Sequence, residues 1–396
     1  MGKRMKRLLF AFALVALVSC QSHPNGTTWP LLIANAPKAA DPVPLTEPTY
    51  DYINALLKEA NQKAEEAVGA ENYVFFPLSY YLTSALTYLL FDEESVPEEE
   101  WSILGTKGNQ ATLNVVAELY NAVTVKTSPE SNETTVIPSS ILVDENGTEI
   151  PPRLAERMAN ELGCSYLGKT EDQKQFLSQW AKEVTNGHVS EAPECDGPAT
   201  MIGSFFFNLP YAIGLKKSAD RPFNGEGAYP FMDASAETDY YCATESWEAF
   251  SYPLQNKDCR LRFIKPKQPA TSALFSDFDF GECFSHKDAY RGGVAFCMPK
   301  IECSNTLDLK AVAKQQGLFQ KGTYAISKGT FESGSLKQDA SIMFTETAVT
   351  GYAFTKSQVI PQSMPEKEFV LDSAFMYQVT GPHDLVLAAG KIVSLD

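Results

Sequence analysis

The order of hydrophobic patterns along the chain constrains its fold more than any other feature of the sequence. In the first half, apolar residues recur every three or four positions, as in Thr49–Val68, which is typical of amphipathic helices. Beyond about residue 199 the pattern changes to short β-rich runs, including ATMIGSFFFNL, CRLRFIKP and DLVLAAGKIVSL. One late helix, ending at Gly317, interrupts these runs. Helices followed by strands predict an α+β fold, with helices packed on mainly antiparallel sheets.

Local signals place the ends of three helices. Ser79 is well placed to cap a buried helix that runs to about Leu90. Prolines open the helix in PPRLAERMANEL, since proline fits the first turn. The helix in QFLSQWAKEV ends at Asn186-Gly187, because glycine readily adopts the left-handed conformation that ends a helix.

The first twenty residues have the pattern of an export signal. Met1–Arg7 carries four basic residues, and Leu8–Val18 is an almost unbroken apolar run, too short to span a bilayer as a mature helix. The run ends in Leu-Val-Ser-Cys at Cys20, which resembles the bacterial lipobox, where cleavage falls before the cysteine and its thiol is acylated. An ordinary secretory signal with an incidental Cys20 is the alternative. We predict the lipoprotein, because Ser19 and Cys20 occupy the two most restricted positions of that motif.

These signals divide the chain into three parts. We predict a lipoprotein signal peptide over 1–19, a lipidated linker over 20–46 that is rich in Pro, Ala, Asn and Thr, and a folded domain over 47–396. Several acyl chains on Cys20 would anchor the exported protein stably to the bacterial outer membrane or cell surface. No later run approaches the ~20 apolar residues of a transmembrane helix.

Charge and cysteine spacing argue against several classes of partner. The net charge of −16 is spread along the chain, whereas nucleic-acid binding needs a basic stripe. Besides Cys20 there are seven cysteines, which an exported chain could oxidise, and their odd number leaves at least one free or paired elsewhere. Their spacings contain no CxxC pair, so a zinc site is not expected.

The sequence contains no catalytic motif that indicates an enzyme site. The four histidines do not fall in HExxH, and no serine falls in GxSxG. Residues Gly163–Thr170 match the phosphate-loop pattern GxxxxGK(S/T), but they follow an amphipathic helix instead of the buried strand that such a loop needs. We therefore predict no catalytic residue, no metal and no cofactor.

Near the C-terminus, the segment TETAVTGYAFTKSQVIPQSMPEKEF (residues 345–369) joins a strand-like part to a long polar part. Residues of the first part alternate between two faces. One face is small and uncharged and comprises Val349, Gly351, Ala353 and Thr355. The opposite face carries the bulkier Tyr352 and Phe354. From Lys356 onward the composition is that of an exposed loop.

Four regions, in order, resemble the serpin superfamily of protease inhibitors. They are NYVFFPLS, WAKEVTNGHVSE, CMPKIECSNTLDLKAVAKQQGLF, and the closing pair FVLDSAFMYQV and DLVLAAGKIVSLD. The resemblance runs from about Tyr50 to Asp396, which is essentially the whole predicted domain. It implies the serpin fold with an exposed C-terminal reactive loop, at about residues 346–368 of this chain.

In serpins a target protease cleaves the reactive loop, and the freed hinge inserts as a new central strand of the main sheet while the acyl-enzyme is distorted. The resemblance therefore implies a monomeric suicide-substrate inhibitor that forms a covalent acyl complex with a serine or cysteine protease. It implies a reactive bond between Gln362 and Ser363. The implied hinge comprises Glu346, Thr347, Ala348, Val349, Thr350, Gly351 and Ala353. The implied polar network at the point where the sheet opens comprises Ser79, Asn186 and Gln338.

Several positions depart from the family pattern. Phe76 and Gln338 replace a serine and a histidine of the polar network, and Tyr211 replaces a tryptophan near the top of the main sheet. Tyr352 and Phe354 stand where the family usually keeps small residues, which predicts slower insertion. These departures leave open an alternative, in which the chain is a non-inhibitory binding or scaffold lipoprotein with the same fold.

Overall fold

The computed structural model of the chain describes residues 31–32, 43–125, 134–144, 152–185, 187–193, 195, 199–268, 277–326, 329–332, 334–350 and 367–395. Within these ranges the segregation of helices and strands is as predicted. Six of the eight described α-helices precede residue 199, and sixteen of the twenty described strands lie at or beyond it. The α+β class is therefore confirmed.

The described α-helices are α1 (Glu47–Val68), α2 (Pro77–Tyr88), α3 (Glu98–Ile103), α4 (Asn109–Val123), α5 (Pro152–Glu161), α6 (Gln173–Val184), α7 (Phe280–Cys283) and α8 (Lys310–Gln315). The described strands are β1 (Leu31–Leu32), β2 (Tyr73–Phe75), β3 (Thr135–Asp144), β4 (Cys164–Leu167), β5 (Ala199–Pro210), β6 (Lys216–Lys217), β7 (Arg221–Phe223), β8 (Glu226–Tyr229), β9 (Phe231–Ala243), β10 (Trp247–Tyr252), β11 (Arg260–Pro266), β12 (Tyr290–Pro299), β13 (Ile301–Asp308), β14 (Thr323–Ile326), β15 (Gly329–Glu332), β16 (Lys337–Phe344), β17 (Ala348–Thr350), β18 (Lys367–Val370), β19 (Phe375–Thr380) and β20 (Val386–Ile392).

Two large sheets share one hydrophobic core. The seven-stranded sheet, here called sheet A, has the order β1-β4-β3-β5-β17-β16-β13. The nine-stranded sheet, sheet B, has the order β18-β12-β9-β10-β11-β19-β20-β2, with β6 beside β9. Pairing is antiparallel except for β3 with β4 and β12 with β18. Two hairpins, β7-β8 and β14-β15, complete the described strands.

The observed ends of two helices can be compared with the cap and stop predicted from the sequence. Gly187 has φ 88° and its N–H bonds the carbonyl of Lys182 at 2.6 Å, so the predicted glycine stop after α6 is confirmed. The predicted cap of α2 is wrong, because this helix begins at Pro77 and places Ser79 inside its first turn. Proline has a φ suited to the first helical position. The side chain of Gln338 makes hydrogen bonds to the main chain of Phe76, the residue before Pro77.

Other features of the sequence have a place in the described fold. Within the predicted linker, Leu31–Leu32 forms β1 and pairs with β4 at the edge of sheet A. The seven cysteines beyond the lipobox are all free thiols. None of the described helices is long and apolar enough to cross a membrane.

A buried ion pair joins α1 to β20. The Nζ atom of Lys391 lies 3.0 Å from Oε1 of Glu65, and these side chains are 0% and 1% exposed. The same ammonium group donates to the carbonyl of Gly69 at 2.6 Å. Burying a charge is unfavourable unless it is paired and hydrogen-bonded, so these contacts hold the C-terminal strand of sheet B on α1.

Replacing Lys391→Met should lower the free energy of unfolding by ~3–5 kcal/mol, because it leaves the carboxylate of Glu65 buried without its counter-charge. Chemical denaturation checks this value. The control is Lys63→Met, which removes a partly exposed pair with Glu59 and should cost at most about 0.5 kcal/mol. The double variant Glu65→Leu/Lys391→Met should recover most of the loss. An equally small effect of both single variants would show that the buried pair is not needed.

Candidate functional site: the hinge and the slot in sheet A

The strand β17 is wedged between β5 and β16 in the middle of sheet A. It pairs antiparallel with β5, placing Val349 opposite Leu209 and Thr350 opposite Asn208. On its other side it pairs antiparallel with β16, where Val349 faces Phe344. The three residues of β17 are at most 1% exposed. The beginning of the predicted hinge therefore lies inside the main sheet.

The two faces of β17 have different surroundings. Val349 belongs to the hydrophobic core together with Leu209 and Phe344. Thr350 points to the opposite face, where its hydroxyl donates to Oδ1 of Asn208 at 3.1 Å. Val349 therefore faces the hydrophobic core, and Thr350 faces away from it.

A tight turn, Thr345–Thr347, connects β16 to β17. The Oγ1 atom of Thr345 accepts hydrogen bonds from the N–H groups of Thr347 and Ala348, both at 3.3 Å. The carbonyl of Thr347 accepts from the N–H of Tyr211 at 2.9 Å. These bonds fasten the turn internally and to the end of β5.

Glu346 contributes two further contacts to this turn. Its carbonyl accepts from the N–H of Leu215 at 2.6 Å. Its carboxylate lies 3.3 Å from Nζ of Lys300, with both side chains well exposed. An exposed ion pair of this kind contributes only ~0–1 kcal/mol, so the main-chain bonds hold the turn more than the charges do.

Among the described residues, the pairing across the middle of sheet A ends at Thr350. The strands β5 and β16 are described along their whole length, yet no described strand pairs with Ala199–Phe207 on the side that faces β16. We call this gap the slot. Strand edges carry main-chain donors and acceptors in a row, so the slot is suited to receiving one additional extended segment.

The first half of α2 lies directly under the slot. A Cβ atom at Gly203 of β5 would stand 1.9 Å from Oγ1 of Thr83, so only glycine allows this approach. The hydroxyl of Thr83 is held in place by donating to the carbonyl of Ser79 at 2.8 Å. Ser79 therefore lies below the slot, while Asn186 lies outside the described residues.

The side chain of Gln338 makes two hydrogen bonds to the main chain of Phe76, just before α2. Its Oε1 accepts from the N–H of Phe76 at 2.8 Å and its Nε2 donates to the carbonyl of Phe76 at 3.1 Å. Asn305 of β13 makes the equivalent pair of bonds with Val74, at 2.7 and 3.2 Å. The two amides fasten β16 and β13 to the segment β2–α2, which is the role that Gln338 has in the described structure.

Tyr211 lies at the upper end of the slot, immediately after β5. Its ring meets that of Tyr252 edge-on at 5.0 Å, and its side chain is buried. Its hydroxyl has no hydrogen-bond partner among the described residues. Burial first, then the neighbouring Tyr252 and Glu346, raises the pKa of Tyr211 well above the ordinary value of 10.0.

Some of the predicted site residues lie together in the described structure, and others lie outside the described residues. It brings Glu346 through Thr350 together with Tyr211 at the top of the slot. Sites that lie outside the described residues are Cys20, Asn186, Gly351, Tyr352, Ala353, Phe354, Gln362 and Ser363. Sequence reasoning missed Asn208 and Gly203. A glycine inside a strand run signals a close approach of another element and could have identified Gly203.

Two motif predictions can also be compared with the structure. Four residues of the phosphate-loop match form β4, so that match does not make a strand-to-helix phosphate loop. Among the described residues, no three His, Cys, Asp or Glu side chains form a group that could hold a metal ion.

The overall fold is similar to solved structures of serpins. A serpin from the trematode Schistosoma haematobium superposes with a TM-score of 0.71 at 17% identity, covering 87% of this chain and 100% of its own. The native thermophilic serpin tengpin gives 0.69 at 16% identity, covering 92% and 98%. Human thyroxine-binding globulin complexed with thyroxine gives 0.70 at 13% identity, covering 87% and 99%. No protein-family model and no curated protein sequence matches the chain.

These three structures cover 87–92% of this chain. The chain has the serpin fold. At such low identity the likeness establishes the architecture, and the role of each residue has to be argued from the site itself.

Replacing Tyr211→Phe should raise the free energy of unfolding at pH 7 by about 1 kcal/mol, because it removes a buried hydroxyl without a partner. The raised pKa adds a pH dependence. The folded chain keeps this tyrosine neutral where the unfolded chain ionises it, so stability falls as pH rises above about 10. The stability of the variant should fall less steeply than that of the unmodified chain between pH 10 and 11.5. Chemical denaturation across this range checks both effects.

The matched control is Tyr252→Phe. The hydroxyl of Tyr252 donates to the carbonyl of Ile213 at 2.7 Å, so its removal should cost ~0.5–1.5 kcal/mol. If Tyr211→Phe were as destabilising as the control, the hydroxyl of Tyr211 would have a partner after all.

Proposed function

We propose that this chain is a serpin-type protease inhibitor that acts as a suicide substrate and is tethered to a bacterial membrane. The observation that carries the proposal is the position of β17, whose residues already form the first pairs of a strand between β5 and β16. Strand addition is a general mode of peptide recognition, and serpin loop insertion is a known example of it. The rest of the hinge has only to continue a strand that has begun.

The register of β17 defines where an inserted hinge would lie. Continued without a shift, it puts Gly351 opposite Phe207 and Ile342. Ala353, two residues further along, falls opposite Ala340. Thr355, after two more residues, falls opposite Gly203. All these positions share the inward face with Val349. Small uncharged side chains suit that face because it is closely packed on α2.

The bulky residues fall on the outer face in the same register. Tyr352 falls opposite Phe206 of β5, whose ring stacks on His188 at 5.8 Å. Phe354 falls opposite Ser204 and Asp339, both small enough to leave room beside a ring. Aromatic neighbours in a sheet attract each other by ~0.2–1 kcal/mol per pair. We therefore propose that Tyr352 contributes to insertion instead of slowing it.

We place the reactive bond at Gln362–Ser363, in the sixteen residues 351–366 that connect the two described anchors, β17 and β18. Pro361 and Pro365 favour an extended chain on either side of this bond, as a protease cleft requires. Glutamine does not suit a trypsin-like pocket. A cut shifted to Val359, Ile360 or Met364 would favour an elastase-like or chymotrypsin-like serine protease, and a cysteine protease is the further alternative.

A second candidate function is that of a binding or scaffold protein that does not inhibit. The two-bond contact between Gln338 and Phe76 favours it, because this contact replaces family groups at the point where the sheet opens. The fold likeness to thyroxine-binding globulin, solved with thyroxine, is consistent with such a function.

Mixing the purified chain with elastase-like, chymotrypsin-like, trypsin-like and papain-like proteases should give a stable higher-mass band on a denaturing gel. Sequencing the released peptide should place the cut at Gln362–Ser363. Thr355→Arg should abolish the band while leaving cleavage intact, because it puts a charge on the inward face of the inserted strand. Lys356→Arg is the control on the outer face and should inhibit normally. Cleavage without any complex would support the binding protein.

We also propose lipidation at Cys20. Expressed in a bacterium with an alkyne-labelled fatty acid, the chain should acquire the label and sediment with membranes. Cys20→Ser should lose both the label and the sedimentation, since a stable anchor needs the acyl chains. Cys195→Ser is the matched control, because it makes the same substitution at a cysteine outside the lipobox. A labelled Cys20→Ser variant would place the acyl group elsewhere.

A further inference from the structure

The reactive bond proposed above lies much closer along the chain to β18 than to β17. Twelve residues, 351–362, separate β17 from the bond, whereas four residues, 363–366, separate the bond from β18. A chain of four residues reaches at most about 14 Å from a fixed end. The position of β18 therefore limits where the bond can lie.

Among the described residues, β18 has a neighbouring strand on one side only. It pairs parallel with β12, where Phe369 lies opposite Phe296. Phe369 is 0% exposed, and its ring lies 5.1 Å from that of Phe250. An edge strand of four residues makes few ladder bonds, so contacts with the residues that follow it add to its stability.

Lys265, near the end of β11, contacts the chain where it leaves β18. Its Nζ atom donates to the carbonyl of Val370 at 2.6 Å and lies 3.4 Å from Oδ1 of Asp372. The carboxylate of Glu248 in β10 also lies 3.4 Å from this nitrogen. The side chain of Lys265 is 14% exposed. Because a largely buried ammonium group has to keep its partners, Lys265 fixes the positions of Val370 and Asp372.

Asn224, in the turn between β7 and β8, contacts the next residues. It has φ 53° and precedes Gly225, with φ 79°, as in an Asn-Gly hairpin turn. Its N–H donates to the carbonyl of Asp372 at 2.8 Å, and its Oδ1 accepts from the N–H of Ala374 at 3.0 Å. Its Nδ2 donates to the carbonyl of Val393 at 2.9 Å, which holds the amide in place. Asn224 therefore fixes the segment 372–374.

Lys265 and Asn224 come from different parts of the chain and meet at Asp372. Lys265 contacts its carboxylate, and Asn224 contacts its carbonyl. We call these two residues the clamp. The clamp lies on the side of the reactive bond that does not carry the hinge.

We propose that Lys265 and Asn224 are positioning residues for the reactive bond. By fixing residues 370–374 they hold β18, and with it the four residues after the bond, in the pose that a protease binds. Holding a substrate in a reactive pose raises the rate of attack on it. This role rests on the proposed function, which supplies the reactive bond.

The clamp acts before the bond is cut and not afterwards. The nucleophile of the protease bonds the carbonyl carbon of Gln362, and the bond from that carbon to the nitrogen of Ser363 breaks. Ser363 leaves as an amine, with the proton that the nucleophile has given up. The acyl group then belongs to the hinge side of the chain, and the clamp holds the other side. The clamp therefore affects the rate of attack and leaves unchanged whether the hinge inserts before the acyl bond is hydrolysed.

The test compares Lys265→Met with Lys267→Met in the full-length chain. Lys267 is exposed and lies two residues further along, so both variants lose the same charge. Elastase-like and papain-like proteases serve as probes, and the measured quantity is the second-order rate of cleavage within residues 359–364. Lys265→Met should lower this rate at least about fivefold, and Lys267→Met should leave it unchanged. The ratio of covalent complex to clipped chain should be the same in both variants and in the unmodified chain.

Asn224→Gly tests the other half of the clamp. Glycine keeps the positive φ but removes the side-chain bonds, so the cleavage rate should fall in the same way. Asn256→Gly is the control, in a turn where Oδ1 of Asn256 accepts from the N–H of Asp258 at 2.9 Å, and its rate should not change. Hydrogen–deuterium exchange of the amides in 367–374 should be faster in both clamp variants than in their controls. Lys265→Arg keeps the charge and should retain most of the rate.

Three outcomes would overturn the proposal. They are unchanged cleavage rates in both clamp variants, equal falls in the controls, and a change in the ratio of complex to clipped chain as large as the change in rate. Melting curves show whether each variant is folded, and if Lys265→Met is not, the comparison of Asn224→Gly with Asn256→Gly decides. The cleavage rate can be measured whether or not a complex forms, so failure of the clamp and failure of the proposed inhibition are separate results.

Discussion

Three residues hold the two halves of sheet A together. Val349 and Thr350 are the only described residues that pair with both β5 and β16, Ala348 pairs with β5, and all three lie at one end of the slot. Their pairing aligns the two strand edges, fixes which face of the hinge meets the core, and places Tyr211 over the entry point. Because side chains alternate strictly along a strand, these three positions determine the surroundings of every hinge residue that follows them.

Much of this arrangement could be predicted from the sequence, because it depends on local patterns. The apolar spacing of α1, the glycine stop of α6 and the alternating faces at Val349 all involve neighbours within a few residues. What could not be predicted depends on contacts between distant segments. Ser79 has the chemistry of a cap, but Pro77 begins the helix earlier. The contact between Gln338 and Phe76 joins residues 262 positions apart, and no local pattern encodes it.

The slot lies in sheet A and is bordered by β5 and β16. Its proposed function requires a strand to enter the sheet, which is a large rearrangement. The buried pair of Lys391 and Glu65 lies between α1 and β20 of sheet B, outside the slot.

The amides of Asn305 and Gln338 have a mechanical consequence. Four hydrogen bonds attach β13 and β16 to β2 and the start of α2, and β2 is itself part of sheet B. The strands β5, β3, β4 and β1 approach α2 at Gly203. If a hinge enters the slot as proposed, we expect it to displace these strands, with α5 packed on β4, because moving β13 and β16 would break the four hydrogen bonds.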